Sequence, residues 1–280
     1  MTLRSPRRAV AAVQVRALDG DRVLDRPDKV VSEEPMEIRV HGPGQEPQAL
    51  AVTMRTPGHD FELAVGFCRT EGILGSVDEL DSVAYCLSGQ AEQEFNVVTV
   101  TARHSVDLAG HERNFSVNAS CGVCGKRTLD QLEQHCPAVA DGPIVARSVF
   151  AQLPARLRAA QSVFDVTGGL HAAARFDEHG GLVALREDIG RHNALDKLIG
   201  HALLEHELPL ASEILMLSGR VSFEMVQKAA MAGVPILCAV SAPSSLAIRA
   251  AERFGQTVVG FLRDDRANVY TRSERIDLAR

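Results

Sequence analysis

The chain has 280 residues, 45% of them apolar and 24% charged, which is the composition of a globular protein with one large or two modest domains. A net charge of −6 excludes bulk attraction to nucleic acid or to an anionic membrane, so any anion site has to be local. Six cysteines are too few for a disulfide-built scaffold, which leaves a minority of them available for chemistry.

In chain order, residues 1–30 are rich in Arg, Asp and Pro and read as a loose arm with one strand at 9–15. The apolar run 9–13 is too short for a secretory segment, and no run approaches the roughly 18 apolar residues of a membrane span. A cytoplasmic protein with reduced thiols is therefore expected. Residues 31–145 read as an α+β domain. Strands are predicted at 36–40, 50–54 and the β-branched stretch 95–101. Gly58-His59-Asp60 opens a helix with apolar Phe61, Leu63, Ala64, Phe67 and Cys68, closed by Gly72. Residues 115–127 form a small-residue loop, and Thr128 caps a short helix after it. Gly142-Pro143 marks the passage to a second domain, 146–280.

The second domain is more regular. A helix is predicted over 148–160 around Pro154, then short strands at 162–166, 170–176 and 182–185 separated by Gly pairs. A helix over 191–205 places Leu195, Leu198, Ile199, Ala202 and Leu203 on one face. Strands at 214–217, 235–240 and 257–262 alternate with helices that start at Ser222 and at Ser244 or Ser245 and stop at Gly233 and Gly255; 268–271 is a candidate fourth strand. This alternation predicts parallel strands with right-handed crossovers.

Three features carry possible chemistry. The sharpest is Ser120-Cys121-Gly122-Val123-Cys124-Gly125-Lys126-Arg127. Glycines leave the two sulfurs open, and the adjacent cations favour the nucleophilic thiolate. Such a loop suits thiol–disulfide exchange, persulfide carriage or metal ligation. A zinc site would have to be completed by His135 and Cys136, because there is no second CxxC, and the pair is not placed as in a thioredoxin unit. Cys68 and Cys238 lie in apolar patterns and read as small buried hydrophobes, and Cys86 and Cys136 are set apart from the pair with them. The second feature is the set of loops at the carboxyl ends of the predicted parallel strands: 218–220, 241–245 and 263–265. Helix N-termini together with Arg220 and Arg263 suit phosphate, and Asp264 or Asp265 suits a guanine edge or ribose. No Walker motif or GxGxxG is present, so ordinary ATP or NAD binding is not indicated. The third feature joins Asp165 and His171 with Glu187, Asp188, Arg191, His192 and Asn193, which can build an acid/base or anion site or serve only as turn and cap residues.

Taken together, RTPGHDFELAVGFCRTEGIL (55–74), FSVNASCGVCGK (115–126), DVTGGLHAAA (165–174), EDIGRHNALDKLIG (187–200), SGRVSFEMVQKAA (218–230) and VPILCAVSAPSSLAIRAAE (234–252) resemble the FdhD/NarQ family, sulfurtransferase accessory proteins for formate dehydrogenase. The resemblance runs in order over roughly 30–275. It implies a cytidine-deaminase-like α/β sandwich with a mixed, mostly parallel sheet plus the smaller α+β domain, and a homodimer. It implies a protein that takes persulfide sulfur from a cysteine desulfurase. That sulfur would pass to the molybdenum cofactor, Mo-bis(molybdopterin guanine dinucleotide), before the cofactor enters the formate dehydrogenase catalytic subunit. On this resemblance Cys121 is the persulfide carrier and Cys124 assists its release. The cofactor contact falls on Phe261, Leu262, Arg263, Asp264, Asp265 and Arg266, with Ser218, Arg220 and 241–244 (Ser241 and Ser244 at its ends) as additions. The HxE and PCxxC signature of true deaminases is missing, so no hydrolytic zinc site is implied. The alternative is a molybdenum-cofactor chaperone whose CxxC is a structural metal or redox site.

Overall fold

The computed structural model describes residues 8–86, 95–108 and 136–279. The CxxC pair Cys121/Cys124 and the helix expected after Thr128 lie outside the described residues.

The N-terminal stretch differs from a loose arm with one strand. β1 (Val10–Asp19) pairs along its whole length with β2 (Arg22–Val31), antiparallel, with Gly20 at φ 58° in the turn. Gly20-Asp21 is a hairpin signal in the sequence, obscured by the charged residues at 22, 25, 26, 28 and 29 of β2.

β3 (Glu34–His41), β4 (Gln48–Arg55), β5 (Leu80–Tyr85) and β6 (Val97–Ala102) form a four-stranded sheet in the order β4-β3-β6-β5, parallel only between β3 and β6. Strand alternation turns Met36, Ile38 and Val40 of β3 and Val98 and Val100 of β6 inward. α1 (Asp60–Thr70) closes this core with Leu63, Ala64 and Cys68, all fully buried.

The larger layer begins with β7 (Val145–Ala146), α2 (Arg147–Ala160) and α3 (Ser162–Thr167). It continues through β8 (His171–Phe176), β9 (Leu182–Asp188), α4 (Arg191–Leu204), β10 (Ile214–Leu217), α5 (Phe223–Met231), β11 (Ile236–Ala239), α6 (Ser245–Phe254), β12 (Thr257–Arg263), β13 (Arg266–Val269) and β14 (Ile276–Asp277). The six-stranded sheet runs β13-β12-β11-β10-β8-β9. The expectation of a mostly parallel sheet is corrected: β10–β11 and β11–β12 are parallel, but β8–β9, β10–β8 and β12–β13 are antiparallel. Parallel pairing needs a crossover helix, and only α5 and α6 supply one here; β8–β9 and β12–β13 are joined by turns too short for anything but a hairpin.

Successive residues of the central strands face opposite layers. Leu215, Leu217, Leu237 and Ala239 meet α4, α5 and α6, while Ile214, Met216, Ile236 and Cys238 meet Phe150, Leu153 and Leu157 of α2. A second correction concerns 162–166, where a strand was expected and α3 is found. Both oxygens of Glu187 accept from the backbone at its start, Val163 N at 3.0 Å and Phe164 N at 2.8 Å, and Gly168 at φ 67° ends it. The β-branched run reads as strand locally, and a carboxylate more than twenty residues away decides otherwise.

α1 and α4 cross at Gly66 and Gly200. A Cβ on Gly66 would lie 1.9 Å from the Asp196 carbonyl oxygen, and one on Gly200 1.8 Å from that of Glu62. Only glycine allows the two backbones this close. The approach lets Asp196 of α4 accept from Thr70 Oγ1 of α1 at 2.8 Å and from Lys228 Nζ of α5 at 2.9 Å, all three side chains buried.

Candidate functional site at the strand ends

The loops after β10, β11 and β12 are stitched together by backbone hydrogen bonds. Val221 N donates to Ala242 O (3.1 Å), Ser244 N to Val221 O (2.9 Å) and Phe261 N to Ser241 O (3.1 Å). This convergence is what the βαβ reading expects of strand carboxyl ends. Within it, Ser218 Oγ accepts from Ala172 N at 2.8 Å, tying β10 to β8, and Ser244 Oγ accepts from Ala247 N at 3.1 Å as the N-cap of α6. Ser218 and Ser244 thus brace the crevice as well as bordering it. Gly260 approaches Ser241 and Pro243 so closely that a Cβ would sit 2.9 Å from Pro243 Cδ.

The segment 261–266 divides. Phe261 is held to the Ser241 loop, is 43% exposed, and sits at φ 52°, a conformation costly for a bulky side chain and typical of sites that impose geometry. Leu262 is only 1% exposed and belongs to the α2-side core, so its side chain serves packing. Arg263 and Arg266 pair across the β12–β13 hairpin, and Asp264 and Asp265 form its exposed tip. Leu262, Asp264 and Asp265 border a separate pocket of about 520 Å³, with Arg147 and Phe150 of α2.

The third group of sequence candidates also divides. Asp188 is fully buried: its carboxylate lies 2.7 Å from Lys197 Nζ and accepts from Thr56 N (3.0 Å), Gly190 N (2.8 Å) and Asn193 Nδ2 (3.0 Å). With every lone-pair direction used, it is a structural anchor that joins the start of α4 to the end of β4. Lys197 adds a bond to Thr56 O at 2.8 Å. Glu187 caps α3, and Asp165 pairs with exposed Arg158. The cationic members do come together. His171 at the start of β8, Arg191 and His192 at the start of α4, and Arg220 after β10 share the β8 edge of the crevice, where burial and then the charges of Arg191, His192 and Arg220 push the His171 imidazole below its ordinary value. His192 Nε2 lies 2.6 Å from a carboxylate oxygen of Glu224 of α5, and this pairing is the largest influence holding the Glu224 carboxyl below the usual range. Sequence reasoning missed Glu224 and Thr56; the only signal for Glu224 was its place in the first turn after the Ser222 cap.

Of the cysteines, Cys68 and Cys238 are fully buried as expected, and burial pushes both thiols far up. Cys136 is also buried, and its thiol is pushed up to about 12 by burial, against the opposing pull of Arg69. Among the described residues no group of His, Cys, Asp and Glu is arranged to hold a metal ion, and no helix is long and apolar enough to cross a membrane.

Comparison with known proteins adds the lineage. The family model described as FdhD/NarQ matches residues 31–277. A curated protein of Streptomyces avermitilis called sulfur carrier protein FdhD is 51% identical over 271 residues, covering 94% of each chain. One of the same name from Sulfurisphaera tokodaii is 42% identical over 267 residues, covering 95% of this chain and 99% of its own. A crystal structure from Desulfotalea psychrophila, assigned as a formate dehydrogenase accessory protein, superposes with a TM-score of 0.74 at 22% identity, covering 96% of this chain and all of that one, which supports the fold. The matched span includes the four-stranded and six-stranded sheets and every strand-end loop, and on that ground this chain belongs to the FdhD/NarQ family.

Proposed function

We propose that this protein is a sulfur carrier that supports formate dehydrogenase maturation. The observation that carries the reading is the pairing of a glycine- and cation-flanked CxxC in the sequence with relatives that are called sulfur carrier proteins. Cys121 would act as its thiolate on the terminal sulfur of a cysteine desulfurase persulfide. The S–S bond of the donor breaks, a new S–S bond forms on Cys121, and the donor leaves as thiolate. Cys124 would then assist transfer of that sulfur onward. The acceptor in this reading is Mo-bis(molybdopterin guanine dinucleotide), handled as cargo on its way to the formate dehydrogenase catalytic subunit. The strand-end crevice, from Ser218 and Arg220 through Ser241 and Ser244 to Phe261 and the 263–266 hairpin, suits its guanine nucleotide, because the starts of α5 and α6 follow these loops and Arg220 lies among them in an otherwise acidic protein. The reading includes a cytidine-deaminase-like scaffold, a homodimer and a cytoplasmic location.

The test is intact-protein mass spectrometry after incubation with a cysteine desulfurase and cysteine. One added sulfur is expected on the wild type and none on Cys121→Ala. If neither CxxC thiol acquires sulfur, or if the pair holds stoichiometric zinc released only on unfolding, the carrier reading fails in favour of a structural clip.

A further inference from the structure

β13 is the last strand of the six-stranded sheet, with β12 on one side and no strand among the described residues on the other. Every residue of it is exposed. Tyr270 N donates to Val258 O at 2.9 Å, and Asn268 stands opposite Gly260 two residues further along. Hydrogen-bonded pairs alternate with unbonded ones in an antiparallel ladder. Asn268 therefore spends its backbone groups on β12, and Ala267 and Val269 turn theirs outward. Edges are commonly blunted by a proline, by a bulge in the edge strand or by a covering segment. Residues 266–269 contain no proline, and the extra residue of the bulge between Gly260 and Arg263 lies on β12.

The side chains of Ala267 and Val269 line the pocket of about 520 Å³ on the α2 side of the sheet. Phe150 of α2, Val259 and Leu262 of β12 and Ile276 of β14 supply more of its wall, and Leu278 extends the apolar surface into solvent. An open edge whose own residues line an apolar pocket is the arrangement that accepts an extended peptide as an added strand: backbone hydrogen bonds hold it, and alternate side chains enter the pocket. The charge at this pocket is unequal. Asp264 and Asp265 border it at the exposed hairpin tip, and neither has a hydrogen bond or ion pair with any described residue. Arg147, at the start of α2, is the one cation among the described residues that line it.

We propose that this edge docks an extended segment of a partner protein, added as a strand beside β13, with an apolar side chain in the pocket and a lysine or arginine at Asp264 and Asp265. Val269 and Asp265 are four positions apart, about 14 Å along an extended chain, so the basic residue of the segment stands four positions from the apolar one, on the same face. β13 of a second copy does not supply that pattern, because Arg266 is three positions from Val269 and so on the opposite face. The inference is independent of the sulfur chemistry proposed above.

The full-length protein is probed against an immobilised positional-scanning library of octapeptides, and the preferred peptide is then measured by fluorescence anisotropy. Valine, leucine or isoleucine is expected at one position and lysine or arginine four positions away. N-methylation of single peptide amides should weaken binding about tenfold at alternate positions and leave the intervening ones near the parent affinity, as strand pairing requires. Ala267→Pro removes one outward N–H and nothing from the β12 ladder, and should lose about tenfold. Asp264→Asn with Asp265→Asn should abolish the preference for the basic residue and keep that for the apolar one. Thermal melts of the variants confirm folding. No positional preference, an N-methyl scan without a two-residue period, or unchanged affinity in folded Ala267→Pro would overturn the proposal. A wild type that binds no peptide, but that dissociates on Ala267→Pro in analytical ultracentrifugation, would give the edge to a second copy and overturn it as well.

Discussion

Replacing Gly200 by Ala sets two opposing effects against each other, and the structure decides the sign. In an ordinary helix interior the change stabilises by about 1 kcal/mol, because Ala has the better helix propensity. Here the added methyl would sit 1.8 Å from the Glu62 carbonyl oxygen, whereas ordinary contact begins at 3.4 Å. The obstacle is backbone, which cannot swing aside as a side chain could, so α1 and α4 would have to separate by about 1.6 Å. That retreat opens the core around Leu63 and Leu203 and stretches the Thr70–Asp196–Lys228 hydrogen bonds across the same joint. Overpacking of this kind costs about 1–3 kcal/mol, and the strained polar triad places Gly200→Ala at the upper end or beyond it. A net loss of about 2 kcal/mol or more is expected, a fall in melting temperature of roughly 4–8 °C for a chain of this size. Urea unfolding followed by circular dichroism measures it. Adding Gly66→Ala should cost less than the sum of the two single changes, since the first methyl already parts the helices. A Gly200→Ala protein as stable as wild type, or more so, would refute the claim that glycine is there for helix approach.

Three further outcomes are expected. Burial raises the Glu62 carboxyl, but hydrogen bonds from Arg186 and His59 outweigh it and hold it at about 2. Its contribution is therefore present above about pH 4.5 and lost as pH falls toward 2, worth about 1–2 kcal/mol after solvent screening. Urea midpoints at pH 6 and pH 3 should differ less in Glu62→Gln than in wild type, and identical pH dependence would count against the pairing. Lys197→Met leaves the Asp188 carboxylate buried without a counterion and should destabilise by about 3–5 kcal/mol, while Asp188→Asn/Lys197→Met should lose distinctly less; a double variant as unstable as the single would contradict this. Iodoacetamide at pH 8 should leave Cys68, Cys136 and Cys238 unmodified in the folded protein, as read by peptide mass mapping, and rapid alkylation of Cys238 before unfolding would exclude the burial described here.

Much of the larger layer was legible because its signals are local. A four-residue apolar run reads as a buried strand wherever it lies, and β10 and β11 were found on that ground. Helix stops at Gly233 and Gly255 follow from the left-handed conformation that glycine accepts. β2 and α3 were not found, because each depends on something beyond its own window: β2 on pairing with β1, α3 on the carboxylate of Glu187. The strand-end site was half legible. Position relative to the predicted strands pointed to Ser218, Arg220 and 241–244, but nothing local separated Asp188 as a buried anchor from Arg191 as an unpaired cation. Nothing local in the sequence sets Lys197 and Lys228 apart, yet both are buried ion-pair partners, on α4 and α5.

By itself the sequence determined the kinds of element and their caps, the CxxC with its glycines and cations, and a net charge that confines any anion to a local site. Those properties depend on residues within a few positions of one another, or on simple counts. The tertiary structure decided the order and direction of the strands, which acid is spent on which base, and which donors are left over. Thr56 meets Asp188 and Thr70 meets Asp196 across more than a hundred residues of chain. Side chains brought together over such separations leave no periodicity in the sequence, and only the tertiary structure shows that Asp188 is spent on Lys197 and Glu224 on His192.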